Sequence, residues 1–150
     1  MNITELGHVV LYVRDIKASA DFYRDALGFH ELFREGSIAA YSGGRTHHEL
    51  LLIEIGDSTK AEKHIEPGLY HIGFKIGDGH DAIEKVWQEL KEKNVPIVGT
   101  GDHTITHSIY ILDPDGNELE LYADIGDEWK KNPKAILTAT KPLRLGSKNN

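Results

Sequence analysis

The 150-residue chain contains no cysteine. That excludes disulfides and thiolate chemistry and fits a reducing compartment, so a cytoplasmic location is expected. The chain also lacks any apolar run near the roughly 18 residues needed to cross a membrane. Its opening, Met1-Asn2-Ile3-Thr4-Glu5, has neither the basic start nor the apolar core of a secretion signal. Basic residues are outnumbered, 17 against 24 acidic for a net charge of −7, and they form no stripe. Nucleic acid and membrane partners are therefore not expected. What is present is an ordinary globular composition, 39% hydrophobic and 27% charged, in a length of about one domain. Such a domain buries roughly 70% of its unfolded surface and needs no staples to fold. Histidine is plentiful, with nine in the chain. It is the commonest metal ligand and the usual proton carrier near neutral pH.

The sequence repeats itself. Gly7-His8-Val9-Val10-Leu11-Tyr12-Val13-Arg14-Asp15 lies over Tyr70-His71-Ile72-Gly73-Phe74-Lys75-Ile76-Gly77-Asp78, 63 positions later. Both segments read histidine, an apolar β-prone run, then aspartate, and a helical stretch follows each. The first helix is expected over about Ile16 to Leu27, with Gly28 as its stop. The second is expected over about Asp81 to Lys93, where Ile83, Val86, Trp87 and Leu90 form one apolar face. Shorter strands should follow: 31–34, 37–42 and 47–55 in the first half, 97–99, 108–113 and 118–122 in the second. Asp113-Pro114-Asp115-Gly116-Asn117 is a strong turn signal that makes the last two a hairpin. The fold class is thus α+β, two β-α-β-β-β modules forming a curved mixed sheet around a cavity. Module 1 covers about 6–57 and module 2 about 68–124 of a single domain, 1–126. Residues 58–67 read as a solvated connector. The extension 127–150 should be partly disordered, with docking at Trp129 and Ala135-Ile136-Leu137 and fraying from Arg144.

Strand parity picks out candidate ligands. In Glu118-Leu119-Glu120-Leu121-Tyr122, Glu120 points away from both leucines, so it faces the concave side if they face the helix. His71 shares that side, because Ile72, Phe74 and Ile76 take the other. His8 follows by the repeat, although its own strand is apolar on both faces. Two histidines and one carboxylate in one cavity make a facial triad that leaves metal positions open. Such a triad favours Fe(II), with Mn(II) as the alternative.

These modules, with His8, His71 and the hairpin from Tyr110 to Glu120, resemble the vicinal oxygen chelate superfamily over about Leu6 to Asp124. That group includes glyoxalase I, bleomycin resistance proteins and extradiol catechol dioxygenases. A more specific likeness starts at Gly101. Extradiol enzymes carry a pattern that this chain supplies in order as Gly101, His103, Ile109, Tyr110, Asp113, Pro114, Gly116 and Glu120. The resemblance implies a metal-dependent extradiol ring-cleaving dioxygenase acting on a small aromatic diol with O₂. It implies metal ligation by His8, His71 and Glu120. Tyr110 would bond a substrate oxygen, and His103 would steady the substrate. His48, in Arg45-Thr46-His47-His48-Glu49-Leu50, matches the position of the proton-handling histidine. The implied fold often pairs two chains, so a homodimer is expected. His30, His64, His80 and His107 are expected at the surface.

Two other readings use the same fold. A glyoxalase I-like lyase or isomerase needs a further carboxylate ligand from the first module. Glu54, in Leu51-Leu52-Ile53-Glu54-Ile55, is its candidate, with Ni(II) or Zn(II) as the metal. A non-enzymatic drug-binding resistance module would need no triad.

Overall fold

The computed structural model describes residues 6–45, 48–56, 69–132, 135 and 137–146, and only the backbone of Trp129. The chain divides into two compact units, Met1–Pro67 and Gly68–Asn150. Each carries one of the expected modules.

In unit 1, β1 (Val9–Val13) leads into α1 (Ile16–Asp21), and β2 (His30–Glu35), β3 (Ile38–Ser42) and β4 (Leu50–Glu54) follow. The sheet order is β1-β4-β3-β2, parallel only between β1 and β4. Alternation decides what each strand buries. Leu11 and Val13 of β1 and Leu50 and Leu52 of β4 are buried, whereas Val10 and Tyr12 are exposed. Asp15 starts α1 by accepting the Ala18 N–H at 2.9 Å. The helix does not stay regular over the full 16–27 expected. Its last turn, Phe22–Ala26, widens to π geometry. The wide turn includes Tyr23, which is fully buried with its ring edge-on to Phe22 and Phe29.

Unit 2 repeats the plan with β5 (His71–Asp78), α2 (His80–Glu92), β6 (Ile97–Asp102), β7 (Thr106–Leu112) and β8 (Glu118–Asp124). The order is β5-β8-β7-β6, again with only the first pair parallel. Ile72, Ile109, Ile111, Leu119, Leu121 and Ala123 are buried together with Ile83 and Leu90 of α2. The β7–β8 turn is built by Asp113, which is buried. Its Oδ1 accepts the N–H groups of Asp115 and Asn117 at 2.9 and 2.8 Å, and its Oδ2 accepts the Asn117 side-chain amide. The aspartate that repeats at 78 does a different job from Asp15. It pairs with Lys75 at 2.8 Å, while α2 begins at Gly79 with no side-chain cap.

A short α3 (Glu128–Lys131) follows, and Ala135 is buried. Contact with the unit then extends to Gly146, three residues into the stretch expected to fray. No helix among the described residues is long and apolar enough to cross a membrane. The expected connector 58–67, and His47, His64, Ile136 and the Trp129 side chain, lie outside the described residues.

Candidate metal and substrate site

The face of the unit 2 sheet opposite α2 carries the polar side chains. Glu118, Glu120 and Tyr122 of β8 alternate with buried Leu119, Leu121 and Ala123. Tyr110 and Ser108 stand opposite Glu120 and Tyr122 in the ladder, and Gly73 of β5 pairs with Glu120 on the other edge. The sequence expectation for the facing of His71 and Glu120 is therefore met locally. His71 Nε2 lies 3.2 Å from Glu120 Oε2. Two donors bound to one ion at about 2.1 Å each, in adjacent octahedral positions, stand roughly 3 Å apart. The other ring nitrogen, Nδ1, is buried and has no hydrogen-bond partner among the described residues, with Glu118 Oε1 3.9 Å away. Buried polar atoms are rarely left alone. A metal-bound histidine commonly turns its second nitrogen to a carboxylate of this kind. The donor pair and the flanking acid thus fit a divalent cation. Among the described residues no group of three or more such side chains is gathered.

A hydrogen-bonded line runs from Glu120 along the sheet. Its Oε1 accepts from Ser108 Oγ at 2.7 Å and from the Tyr110 hydroxyl at 3.2 Å. The Tyr110 oxygen lies 2.8 Å from His103 Nε2. Burial, and then the charge of Glu120, push the Tyr110 phenol up to about 12, so it stays neutral at physiological pH. His71, His103, Ile105, Thr106, Tyr110, Glu120 and Tyr122 line an open cavity of about 320 Å³. That volume is at the small end of ligand pockets. Sequence reasoning found His71, His103, Tyr110 and Glu120. It missed Ser108 and Tyr122, whose parity with Tyr110 and Glu120 was the available signal.

Unit 1 holds the other two expected histidines side by side. The His8 and His48 rings are 4.5 Å apart between centroids, with His8 exposed and His48 half-buried. Glu54 is occupied elsewhere. It shares parity with buried Leu50 and Leu52, and its Oε2 accepts the Ile16 N–H at 2.7 Å, at the start of α1. The carboxylate therefore serves a helix terminus on the α1 side of the sheet. His107 also departs from expectation. Its side chain is only 15% exposed, and its Nδ1 lies 3.0 Å from His80 Nδ1. It sits on the buried side of β7 beside α2, and burial lowers its pKa.

A model of the glyoxalase/bleomycin resistance protein/dioxygenase superfamily matches residues 5–121. The chain belongs to that superfamily. Among curated relatives of this superfamily domain is a catechol-2,3-dioxygenase of Bacillus subtilis (strain 168), 30% identical over 121 residues. The match takes in 81% of this chain but 42% of that protein, so the chain spans less than half the length of this relative. A metallothiol transferase of Staphylococcus epidermidis is 36% identical over 124 residues, covering 80% of this chain and 84% of that protein. The fold is that of a lactoylglutathione lyase from Agrobacterium tumefaciens. Its TM-score is 0.62 at 21% identity, over 82% of this chain and 96% of that one.

Proposed function

We propose that the protein is a metal-dependent extradiol dioxygenase that cleaves a catechol-type ring beside its two hydroxyls, using O₂. The observation that carries this reading is the line His103–Tyr110–Glu120 beside His71, in a cavity sized for a small aromatic. The proposed metal ligands are His8, His71 and Glu120, with Fe(II) the proposed ion and Mn(II) its alternative. When bound, such an ion would lower the pKa of the substrate hydroxyls and activate O₂.

The rest falls to side chains of this chain. Tyr110 is a neutral phenol beside Glu120, and His103 Nε2 lies against its oxygen. Together they can hold a substrate oxygen next to the proposed ligands. Ile105 and the Tyr122 ring form apolar wall around that position and displace water. His48 would take a substrate proton and return it during ring opening, a role suited to a histidine near pH 7. The proposed assembly is a homodimer, and the proposed location is the cytoplasm.

A second reading, metal-dependent thiol transfer, is favoured by the metallothiol transferase likeness over 84% of that protein's length. A glyoxalase-type reaction through Glu54 is disfavoured by the engagement of that carboxylate at α1. One experiment separates them. Protein purified anaerobically and loaded with Fe(II) should turn catechol or 2,3-dihydroxybiphenyl into a yellow ring-cleavage product. Metal-loaded protein that leaves a catechol panel untouched, yet turns over a hemithioacetal or transfers a thiol, overturns the dioxygenase reading. Replacing His8 with alanine should abolish metal retention, and full occupancy in that variant would remove His8 from the ligand set. His48→Gln should keep its metal and lose roughly 10²-fold in turnover.

A further inference from the structure

The segment after α3 lies beyond the 5–121 stretch matched by the superfamily model, yet it reaches the site. β6 is the edge strand of the unit 2 sheet. Lys141 pairs with Asp102 at its end through two backbone hydrogen bonds of 2.9 and 2.8 Å. One residue earlier, Thr140 Oγ1 lies 3.1 Å from His103 Nδ1. Gly101 makes room for both partners. A Cβ there would come within 2.9 Å of Thr140 Cγ2 and 3.0 Å of His103 Nε2. The segment is held again at Gly146, whose N–H donates to both Glu84 carboxylate oxygens at 2.9 and 3.1 Å. Gly146 lies so close to the Trp87 ring that a Cβ there would have to displace it.

The proton on each atom of this line can be assigned. An ionised carboxylate only accepts, so the single Tyr110 proton goes to Glu120. The Tyr110 oxygen must then accept from His103 Nε2–H. In the neutral ring that leaves Nδ1 as an acceptor, and the Thr140 hydroxyl is the donor beside it. Thr140, His103 and Tyr110 form a chain of donors all pointing one way, ending on the Glu120 carboxylate, the proposed ligand.

We propose that residues 138–146 form a strap that is part of the site, with Thr140 as a positioning residue that fixes the ring orientation and tautomer of His103. The proposal rests on the reading of His103 and Tyr110 as the pair that holds substrate. Thr140 acts through His103 and touches no reacting atom.

The test uses the whole chain, ¹⁵N-labelled, with and without added Zn(II). Two-bond ¹H–¹⁵N correlations report the tautomer of each histidine, and His103→Gln assigns the signal. The wild-type His103 ring should carry its proton on Nε2, with Nδ1 shifted as a hydrogen-bond acceptor. Thr140→Val should move the Nδ1 signal to the position of an unbonded nitrogen, and Thr140→Ser should restore it. In the catechol assay Thr140→Val should raise KM by about threefold to tenfold at unchanged metal content, the loss expected of one hydrogen bond. A wild-type ring protonated on Nδ1 overturns the proposal without reference to any variant. So does a His103 signal that Thr140→Val leaves in place. If the signal moves, Thr140→Ser restores it and no catechol is cleaved by wild-type protein, the strap stands and the dioxygenase reading falls.

Discussion

The two units are copies in topology and opposites in what they expose. Laid over each other at the 63-residue offset, His8 coincides with His71 and Val10 with Gly73. The ladders extend the match: Val10 pairs with Leu51, and Gly73 pairs with Glu120. Unit 1 therefore has leucine where unit 2 has its carboxylate, and valine where unit 2 has glycine. A Cβ at Gly73 would touch the Tyr122 ring at 3.4 Å and Glu120 Oε2 at 3.6 Å, so the missing side chain leaves space around that oxygen. A first-module carboxylate mirroring Glu120 would stand at position 51, not at Glu54. The duplicated fold supplies two equivalent strand pairs, and at these paired positions it is unit 2 that carries a carboxylate beside a glycine.

The largest expected effect tests that contrast directly. Glu120→Ala should weaken metal retention by more than about 10²-fold, whereas Glu54→Ala should change it less than about twofold. Metal content after dialysis against a graded chelator reads both, and equal losses would erase the distinction between the units. Next in size, Tyr110→Phe should keep its metal and lose about 10- to 10²-fold in kcat/KM for catechol cleavage. Loss of metal in that variant would make Tyr110 structural.

Copying unit 1 into unit 2 with Gly73→Val should crowd Glu120 and Tyr122 and lower metal affinity by about tenfold. An unchanged affinity would mean the glycine is incidental. Glu54→Ala should lower stability by about 1 kcal/mol through loss of the acceptor at α1, read as a shift in the urea midpoint at constant slope.

The smallest effect concerns His107. Burial holds its folded-state pKa below the ordinary 6.5, against the pull of Asp102 and together with repulsion from His80. Above 6.5 the ring is neutral in both folded and unfolded chains. As pH falls, the unfolded chain takes the proton first, so stability drops below pH 6.5 towards the folded-state value. Melting curves between pH 7.5 and 5 should show this slope, and His107→Gln should flatten it. An identical slope in the variant would exclude His107 as its source.

Much of this was legible in the sequence because strand periodicity carries it. The repeat located both modules, and the leucines flanking Glu120 declared its face, as Ile72 and Phe74 did for His71. His103 and Tyr110 came from spacing that matched a known pattern, not from periodicity. What escaped was set by contacts distant in sequence. Glu54 is satisfied by a backbone N–H 38 residues away, and Thr140 meets His103 from 37 residues away. His107 was taken for a surface residue because a polar ring in a strand gives no sign of the helix start packed above it. The widening into a π turn at Phe22–Ala26, after α1, likewise has no composition signal.

The place where the strap ends has a practical use. Trp87, one of two tryptophans in the chain, has Gly146 against its ring and the Lys91 ammonium 4.1 Å from the ring centroid. An indole placed this way is a built-in optical gauge. Its emission should change when the segment beside it lifts, so tail seating can be followed in a cuvette, without an added label, while the metal is titrated in.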